Sequence, residues 1–494
     1  MSEILFQYYK IHPTTWVYVS SLLIIAVFFK FNRFWSVRNL DLVMLILLAP
    51  GMLMVNLTLP WRESKTPPPT ASIQSGDAAE ASAAPVANPE ATTLAEAMPA
   101  VAPPAAAVNA MAYYGYVWLF AISALWLVRL LLDPTMVRRP LLEPNLSSGG
   151  LIFLGCSLFI FLMANVITSN LSADDLRGAE GAHSLIAGRD TTGQADAPED
   201  YRQHGPGYYL MHLLPSIPST TLAGDGEGGP PLRAYMLVSK SMAILSHLAV
   251  VAALIVIGYW HFENIRMGIG AAALYLMLPY TAQMTGHVDH VLPAALLLWA
   301  IVLYRRPALA GIFLGLAAGV NYYPFFLLPL WISFYWQRGL ARFLMGSIGA
   351  IAVLALSLVF VSKDLASFWF KFQQMFALWI PRMTDLKGIW GLGWDSWYRL
   401  PVIAGCVALA AGLAIWPTHK NLGTLLSCSA AMMVAVQFWH GFGDGGGMYI
   451  AWFLPLLLMT VFRPNLEDRV ALTVLGEGWF LRRRARLAQL NRAA

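Results

Sequence analysis

Apolar residues fall along this 494-residue chain in long, nearly unbroken blocks rather than as one face of a soluble helix or the alternation of a half-buried strand. Thirteen blocks are long enough, or nearly so, to cross ~30 Å of hydrocarbon. They lie near 15–31, 39–59, 112–133, 150–169, 234–259, 267–282, 290–304, 308–322, 323–336, 343–361, 401–417, 422–440 and 447–463. Several are short, and the pair over 308–336 reads either as two half-helices or as one tight hairpin. The pattern predicts an all-α polytopic membrane fold of about thirteen transmembrane helices.

The polar connections divide the chain into four parts. Residues 1–60 form a two-helix membrane hairpin. Residues 61–110, rich in Ala and Pro and without apolar periodicity, read as a disordered linker. Residues 111–463 form the polytopic core, with long loops at 170–232 and 362–400, and 464–494 form a basic tail. Lys30, Arg33, Arg38, Arg138, Arg139, Arg266, Arg305, Arg306, Arg338, Arg342 and Lys420, with Arg482, Arg483, Arg484 and Arg486 of the tail, all fall on one side if thirteen spans alternate. The positive-inside rule makes that side cytoplasmic. The N-terminus is then outside, as are the linker and both long loops, a topology suited to a bacterial cytoplasmic membrane. The opening MSEILFQYYK lacks the basic lead and cleavage site of a signal peptide, so the first apolar block is expected to be retained.

Composition sharpens this picture. Only 12% of residues are charged against 58% apolar, about half the charge of an ordinary soluble chain. Such a chain cannot clothe a large water-facing surface, and the lipid bilayer is its first partner. Eighteen Trp and nineteen Tyr suit two membrane interfaces. The net charge of +5 does not imply nucleic acid, because the basic residues sit singly at segment ends. Cys156, Cys406 and Cys428 lie inside apolar runs and offer neither a disulfide framework nor a thiolate metal site.

The candidate chemistry collects on the expected outer side. Adjacent Asp174 and Asp175 follow the fourth span; they are either solvated loop carboxylates or a general base, with capacity for a divalent cation such as Mg or Mn. His204 stands in YRQHGPGYYLMHLLP. TGHVDH places His287, Asp289 and His290 at a span mouth, as metal ligands lacking a third partner or as hydrogen-bonding groups for a polar substrate. Asn321, Tyr322 and Tyr323 form a turn. The Trp-rich loop brings Asp385, Lys387, Trp390, Trp394 and Asp395, either lying on headgroups or stacking on sugar faces. HGFGDGGG, with His440 and Asp444, reads as a flexible turn or as a substrate contact. Lys240, inside the fifth span, either snorkels outward or meets a lipid phosphate.

The stretch TGHVDHVLPAALLLWAIVLYRRPALAGIFLGLAAGVNYYPFFLLPLW resembles polyprenyl-phosphate-sugar-dependent mannosyltransferases and related enzymes of the glycosyltransferase-C superfamily. Those proteins often carry Gly-Gln-(polar)-Asp at a span mouth, a basic turn, a Gly-rich short helix and a Lys/Asn-Tyr-x-Pro turn. This chain departs from that pattern with Gly286-His287 and with Asn321 in place of the frequent Lys. DDLRGAEGAHSLIAGRD is similar to the family's first outer loop, with Asp174 about where a catalytic aspartate is expected by its distance to Gly188, and Asp175 the close competitor. HGPGYYLMHLLP is similar to the family's Pro-aromatic segment. The resemblance covers roughly 150–340; over 340–460 only the topology agrees.

The resemblance implies an inverting transferase working at the outer leaflet. The donor would be a sugar on a polyprenyl phosphate, and the acceptor a hydroxyl of a glycan, lipid or protein. Asp174 or Asp175 would act on the acceptor. Lys240, Arg233, His287 and His290 would attend the donor phosphate. Asp289, Asn321, Tyr322, His204, Trp394, Asp395, His440 and Asp444 would contact substrate. Two other classes stay open. A transporter should show broken helices and ionisable groups at mid-bilayer, where this chain has only Lys240 and His247. A non-catalytic assembly scaffold should tolerate loss of both aspartates.

Overall fold

The computed structural model describes residues 12–63, 105–136, 141–169, 171–186, 204–223, 232–337, 339–376, 383–384 and 386–464. Most of the 61–110 linker, the tail beyond 464, and Arg138, Arg139, Gly188, Arg338 and Asp385 lie outside them. Among the described residues the fold is all-helical, with no strand.

A first pair, α1 (Pro13–Phe28) and α2 (Val37–Glu63), precedes α3 (Ala105–Leu132) and α4 (Ser148–Thr168). Two shorter helices follow, α5 (Ala173–Ile186) and α6 (Pro206–Ala223), inside the segment expected as a long loop. The long α7 (Leu232–Trp260) leads to α8 (Ile265–Met277), the one-turn α9 (Pro279–Gln283) and α10 (Val288–Val302). Next come α11 (Pro307–Val320), a 3₁₀ turn (Tyr323–Leu327) running into α12 (Leu328–Tyr335), and α13 (Leu340–Ser357). The chain closes with α14 (Leu365–Phe376), α15 (Arg399–Ile415), α16 (Leu422–Gln437) and α17 (Leu454–Phe462). Each of the thirteen apolar blocks therefore contains a helix. Among the described residues, six helical segments are long and apolar enough to cross a membrane: Val37–Thr58, Ala106–Thr135, Ser148–Thr168, Leu232–Trp260, Leu340–Phe360 and Ser396–Ile415. The others are shorter or, like α6, not apolar enough, and 307–335 is a hairpin with its turn at Asn321 and Tyr322.

Apolar helices gain little from hiding apolar surface among lipid tails, so close backbone approach carries their packing. α11 shows how: Gly311, Gly315 and Gly319 recur every fourth residue on the face that meets α13. A Cβ at Gly311 would lie 2.2 Å from the Phe343 carbonyl oxygen, and one at Gly315 2.8 Å from that of Ser347. α2 and α3 meet similarly through Gly51 and Gly115. Although the linker separates α1 and α2 from the rest in sequence, the hairpin is built into the same apolar core.

The two ends of the bundle carry different polar clusters. α16 begins with Gly423 against the Arg463 guanidinium and ends just before His440; α17 begins just after Trp452 and ends at Arg463. Around Arg463 the Arg129 guanidinium holds both oxygens of Asp41, at 2.9 and 3.1 Å, and reaches Asp133 Oδ1 at 2.9 Å. Arg463 donates to Asp133 Oδ2, and Arg38 donates to the Arg463 carbonyl. Asp41 and Asp133 are fully buried. Arg38, expected as an orientation signal in a connection, is in fact a buried member of this network. Lys30 and Arg266 meet the 144–146 segment through the Asn145 side chain and the Pro144 and Leu146 carbonyls.

Candidate functional site

At the opposite end of α16 and α17, four separated stretches of sequence converge. The first is the start of α5. Asp175 is buried there, and its Oδ2 accepts from the amide and hydroxyl of Ser172 at 3.0 and 2.7 Å, an N-terminal capping arrangement. Its Oδ1 faces His287 Nδ1 at 2.9 Å. Asp174, one residue earlier, points the other way: its side chain is 65% exposed and pairs with Arg177 at 3.0 Å. On a helix, neighbouring residues are turned by about 100°, and here that rotation separates a surface carboxylate from a site carboxylate. The geometry therefore favours Asp175 over Asp174.

The second stretch is the entry to α10. His287 precedes the helix and is about a third exposed. Burial works to lower its pKa, but the hydrogen bond and negative charge of Asp175, with Asp444 and Asp289 beyond, outweigh burial and raise it to about 9. At neutral pH His287 is an imidazolium. His290, fully buried, takes Tyr280 of α9 at Nδ1, 2.6 Å away, and Asp444 at Nε2, 3.1 Å away. Its ring stacks on Tyr449 at 4.2 Å. The Asp444 carboxyl is also destabilised by burial, yet its hydrogen bond to His290 and the charge of His287 hold it below the usual carboxylate range.

The third stretch joins HGPG to the turn after α11. The Gly205 amide donates to the Val320 carbonyl at 2.8 Å, and a Cβ at Gly205 would sit 2.2 Å from the Gly319 oxygen. Glycine is needed for that approach, which lays His204 beside Asn321. His204 stacks on Tyr208 at 4.2 Å and stands 3.7 Å from Asp289 Oδ2.

The fourth is HGFGDGGG, and it is not a loose turn. Gly445 (φ +87°) packs directly on Gly388 (φ +69°), where a Cβ on Gly445 would fall 2.3 Å from the Gly388 Cα. Lys387 N–H donates to the Gly441 carbonyl, Gly447 N–H to Gln437 Oε1, and Tyr116 hydroxyl to the Asp444 carbonyl. These contacts fix His440, whose Nδ1 meets the Tyr323 hydroxyl.

His204, Asp289, Asn321, Tyr323, His440 and Trp452 border one narrow cavity of ≈ 20 Å³, room for a water or two. Three buried polar atoms on these residues have no hydrogen-bond partner: His204 Nδ1, Asn321 Oδ1 and His440 Nε2. Unpaired buried polar atoms are uncommon because each forfeits its hydration. Three around one cavity form a surface ready to receive a ligand with both donors and acceptors.

The remaining candidates fall elsewhere. The Tyr322 ring packs at a tilt against Tyr323, 4.2 Å between centroids, beside the cavity. Lys240 is held by the Ile167 carbonyl at the end of α4, 2.7 Å away, and Arg233 is exposed at the start of α7. Asp395 caps its own short helix through Trp397 N–H, and Trp394 is 44% exposed. No group of three His, Cys, Asp or Glu side chains suited to a metal ion occurs among the described residues. Tyr280, Tyr449 and Trp452 belong to the site although the sequence marks them only as aromatic core positions. Ser172, three residues before Asp175, is the one partner that a capping pattern could have exposed. No family model matches this chain, and no curated protein sequence matches it either.

Proposed function

We propose that this protein is a membrane transferase of the glycosyltransferase-C type, moving a sugar from a polyprenyl-phosphate donor to an acceptor hydroxyl at the membrane face where Asp175 and His287 lie. On this reading thirteen segments cross or enter the bilayer, the N-terminus is outside and the tail cytoplasmic. The observation that carries the proposal is the Asp175–His287 pair next to a cavity walled by partnerless polar atoms.

Inverting transfer to a hydroxyl needs a carboxylate to take the acceptor proton, positive charge for the departing phosphate, and exclusion of water. Asp175 supplies the first; its Ser172 and His287 contacts orient it. The His287 imidazolium supplies the second without a metal ion. His204, Asn321 and His440 hold sugar or acceptor hydroxyls, with Asp289 among them. The aromatic walls, Tyr323, Tyr449 and Trp452, supply the third. The cavity is too small for a sugar as it stands, so substrate entry requires the walls to part.

A transporter fits less well, because the ionisable residues gather at the two helix ends instead of lining a mid-bilayer path. A scaffold would have no use for the buried unpaired atoms. The test is transfer from radiolabelled polyprenyl-phosphate sugars by the purified protein in lipid, with and without chelator. Chelator-resistant transfer that is lost in Asp175→Asn supports the proposal. A wild type that moves no sugar from any donor, yet still binds lipid or a partner, supports the scaffold.

A further inference from the structure

A second polar cavity lies apart from the site above, between the N-terminal hairpin and the core. Its walls include Trp16 of α1, Asn56 of α2, Phe161 and Asn165 of α4, and Gln283 of α9, and it measures ≈ 140 Å³. That is room for a head group, not one solvent molecule. Trp16 and Phe161 stack at 5.4 Å. Asn56 Nδ2 donates to Gln283 Oε1 at 2.6 Å. This leaves Asn56 Oδ1, Gln283 Nε2 and Trp16 Nε1 buried with no partner.

Four polar residues from four helices around one cavity are unexpected in helices otherwise so apolar. One carboxamide contact does not explain them, because it leaves an acceptor and two donors unanswered. The chemistry of the lining restricts the ligand. No charged side chain lines the cavity among the described residues. A phosphate would answer the two N–H donors but strand Asn56 Oδ1 beside its own charge; an ammonium would do the reverse. A hydroxyl both donates and accepts, so hydroxyls satisfy all three atoms at once. Tyr18, Leu57 and Ile160, neighbours of the lining residues Trp16, Asn56 and Phe161 along the same helices, are exposed and apolar or aromatic. We propose that this crevice binds the uncharged, hydroxyl-bearing head group of a membrane lipid, with the lipid tails lying along α1, α2 and α4.

The site is independent of the transferase reading. It adjoins the first site through α9, which presents Tyr280 to His290 and Gln283 to Asn56.

The test uses the full chain in nanodiscs with a photoreactive monohexosyl diacylglycerol, compared with a photoreactive phosphatidylcholine of the same acyl chains. Cross-links are mapped by mass spectrometry. The expected result is saturable labelling of peptides from 13–28, 37–58 and 148–168 by the glycolipid in preference to phosphatidylcholine. Trp16→Phe keeps an aromatic ring but removes the N–H together with the five-membered half of the indole, and Gln283→Leu removes the amide; each should weaken glycolipid labelling about three- to tenfold, the worth of a hydrogen bond. If Gln283→Leu fails to fold, Trp16→Phe and the lipid preference decide. Equal labelling by the two lipids, or labelling unchanged in the folded variants, overturns the proposal. So does full displacement by soluble methyl glucoside, which would make the ligand a free sugar.

Discussion

The two ends of α16 and α17 both bury charged residues, but they use them in opposite ways. Around Arg463, all four carboxylate oxygens of Asp41 and Asp133 accept from arginines, and the network ties α2, α3 and the end of α17 together. Around His290, the pairs are mixed carboxylate–imidazole contacts, partly exposed, and they border a cavity with polar atoms left over. A network whose carboxylates are all answered acts on stability, even though Arg463 Nε is left without a hydrogen-bond partner. One that leaves capacity unused in a buried place costs stability and is kept for binding or chemistry. Burial of charge alone would not separate these two regions; what does is that the second leaves its unpaired atoms on residues that border a cavity.

The comparison can be broken from either side. The largest expected effect is at the chemical end: Asp175→Asn should lower transfer by about 10²–10⁴-fold, the usual worth of a general base, while its melting temperature falls only by the worth of the pairing with His287. At the other end the order reverses. Arg129→Met removes both hydrogen bonds to Asp41 and leaves Asp133 with Arg463 alone, and should cost about 3–5 kcal/mol of stability, read as a fall in thermal midpoint in detergent; the protein that remains folded should keep its turnover per molecule.

A smaller effect follows from pH. The His287 pKa is raised above the ordinary 6.5 to about 9, so its pairing with Asp175 stabilises fully below about 6.5 and is lost as pH rises through about 9. The thermal midpoint of wild type relative to Asp175→Asn should therefore be highest near neutrality and decline towards pH 10. Transfer should decline over the same range as the imidazolium is lost. The smallest effect belongs to Asp174→Asn. Its exposed pair with Arg177 is worth at most about 1 kcal/mol, and both melting and transfer should stay close to wild type.

Much of the helical frame was legible because apolar block length is a direct physical requirement of spanning lipid; each expected block contains a helix. What the blocks could not show is which polar residues face which way. Asp174 and Asp175 are equivalent in sequence, and only the rotation of α5 about its axis tells them apart. Arg38 reads as an orientation signal, yet the fold turns it inward towards Asp41 and Arg463. The candidates His204, His287, Asp289, His290, Asn321, His440 and Asp444 do converge, since all stand at helix ends on one side. Lys240, Arg233, Trp394 and Asp395 share that side but are held by local partners or left exposed. Tyr280 and Tyr449 escaped notice because a hydrogen-bonding aromatic inside an apolar run looks like any other core ring. Asn56 and Gln283, 227 positions apart, acquire meaning only when α2 and α9 meet.

The most direct test of the central claim is the ratio of transfer rates for Asp175→Asn and Asp174→Asn, each purified in lipid, shown to be folded, and supplied with the same radiolabelled polyprenyl-phosphate sugar. A ratio of about 10⁻² or lower, with Asp174→Asn near wild type, is the result expected if the buried carboxylate on His287 carries the chemistry. Equal rates in the two variants, or a loss confined to Asp174→Asn, would contradict it.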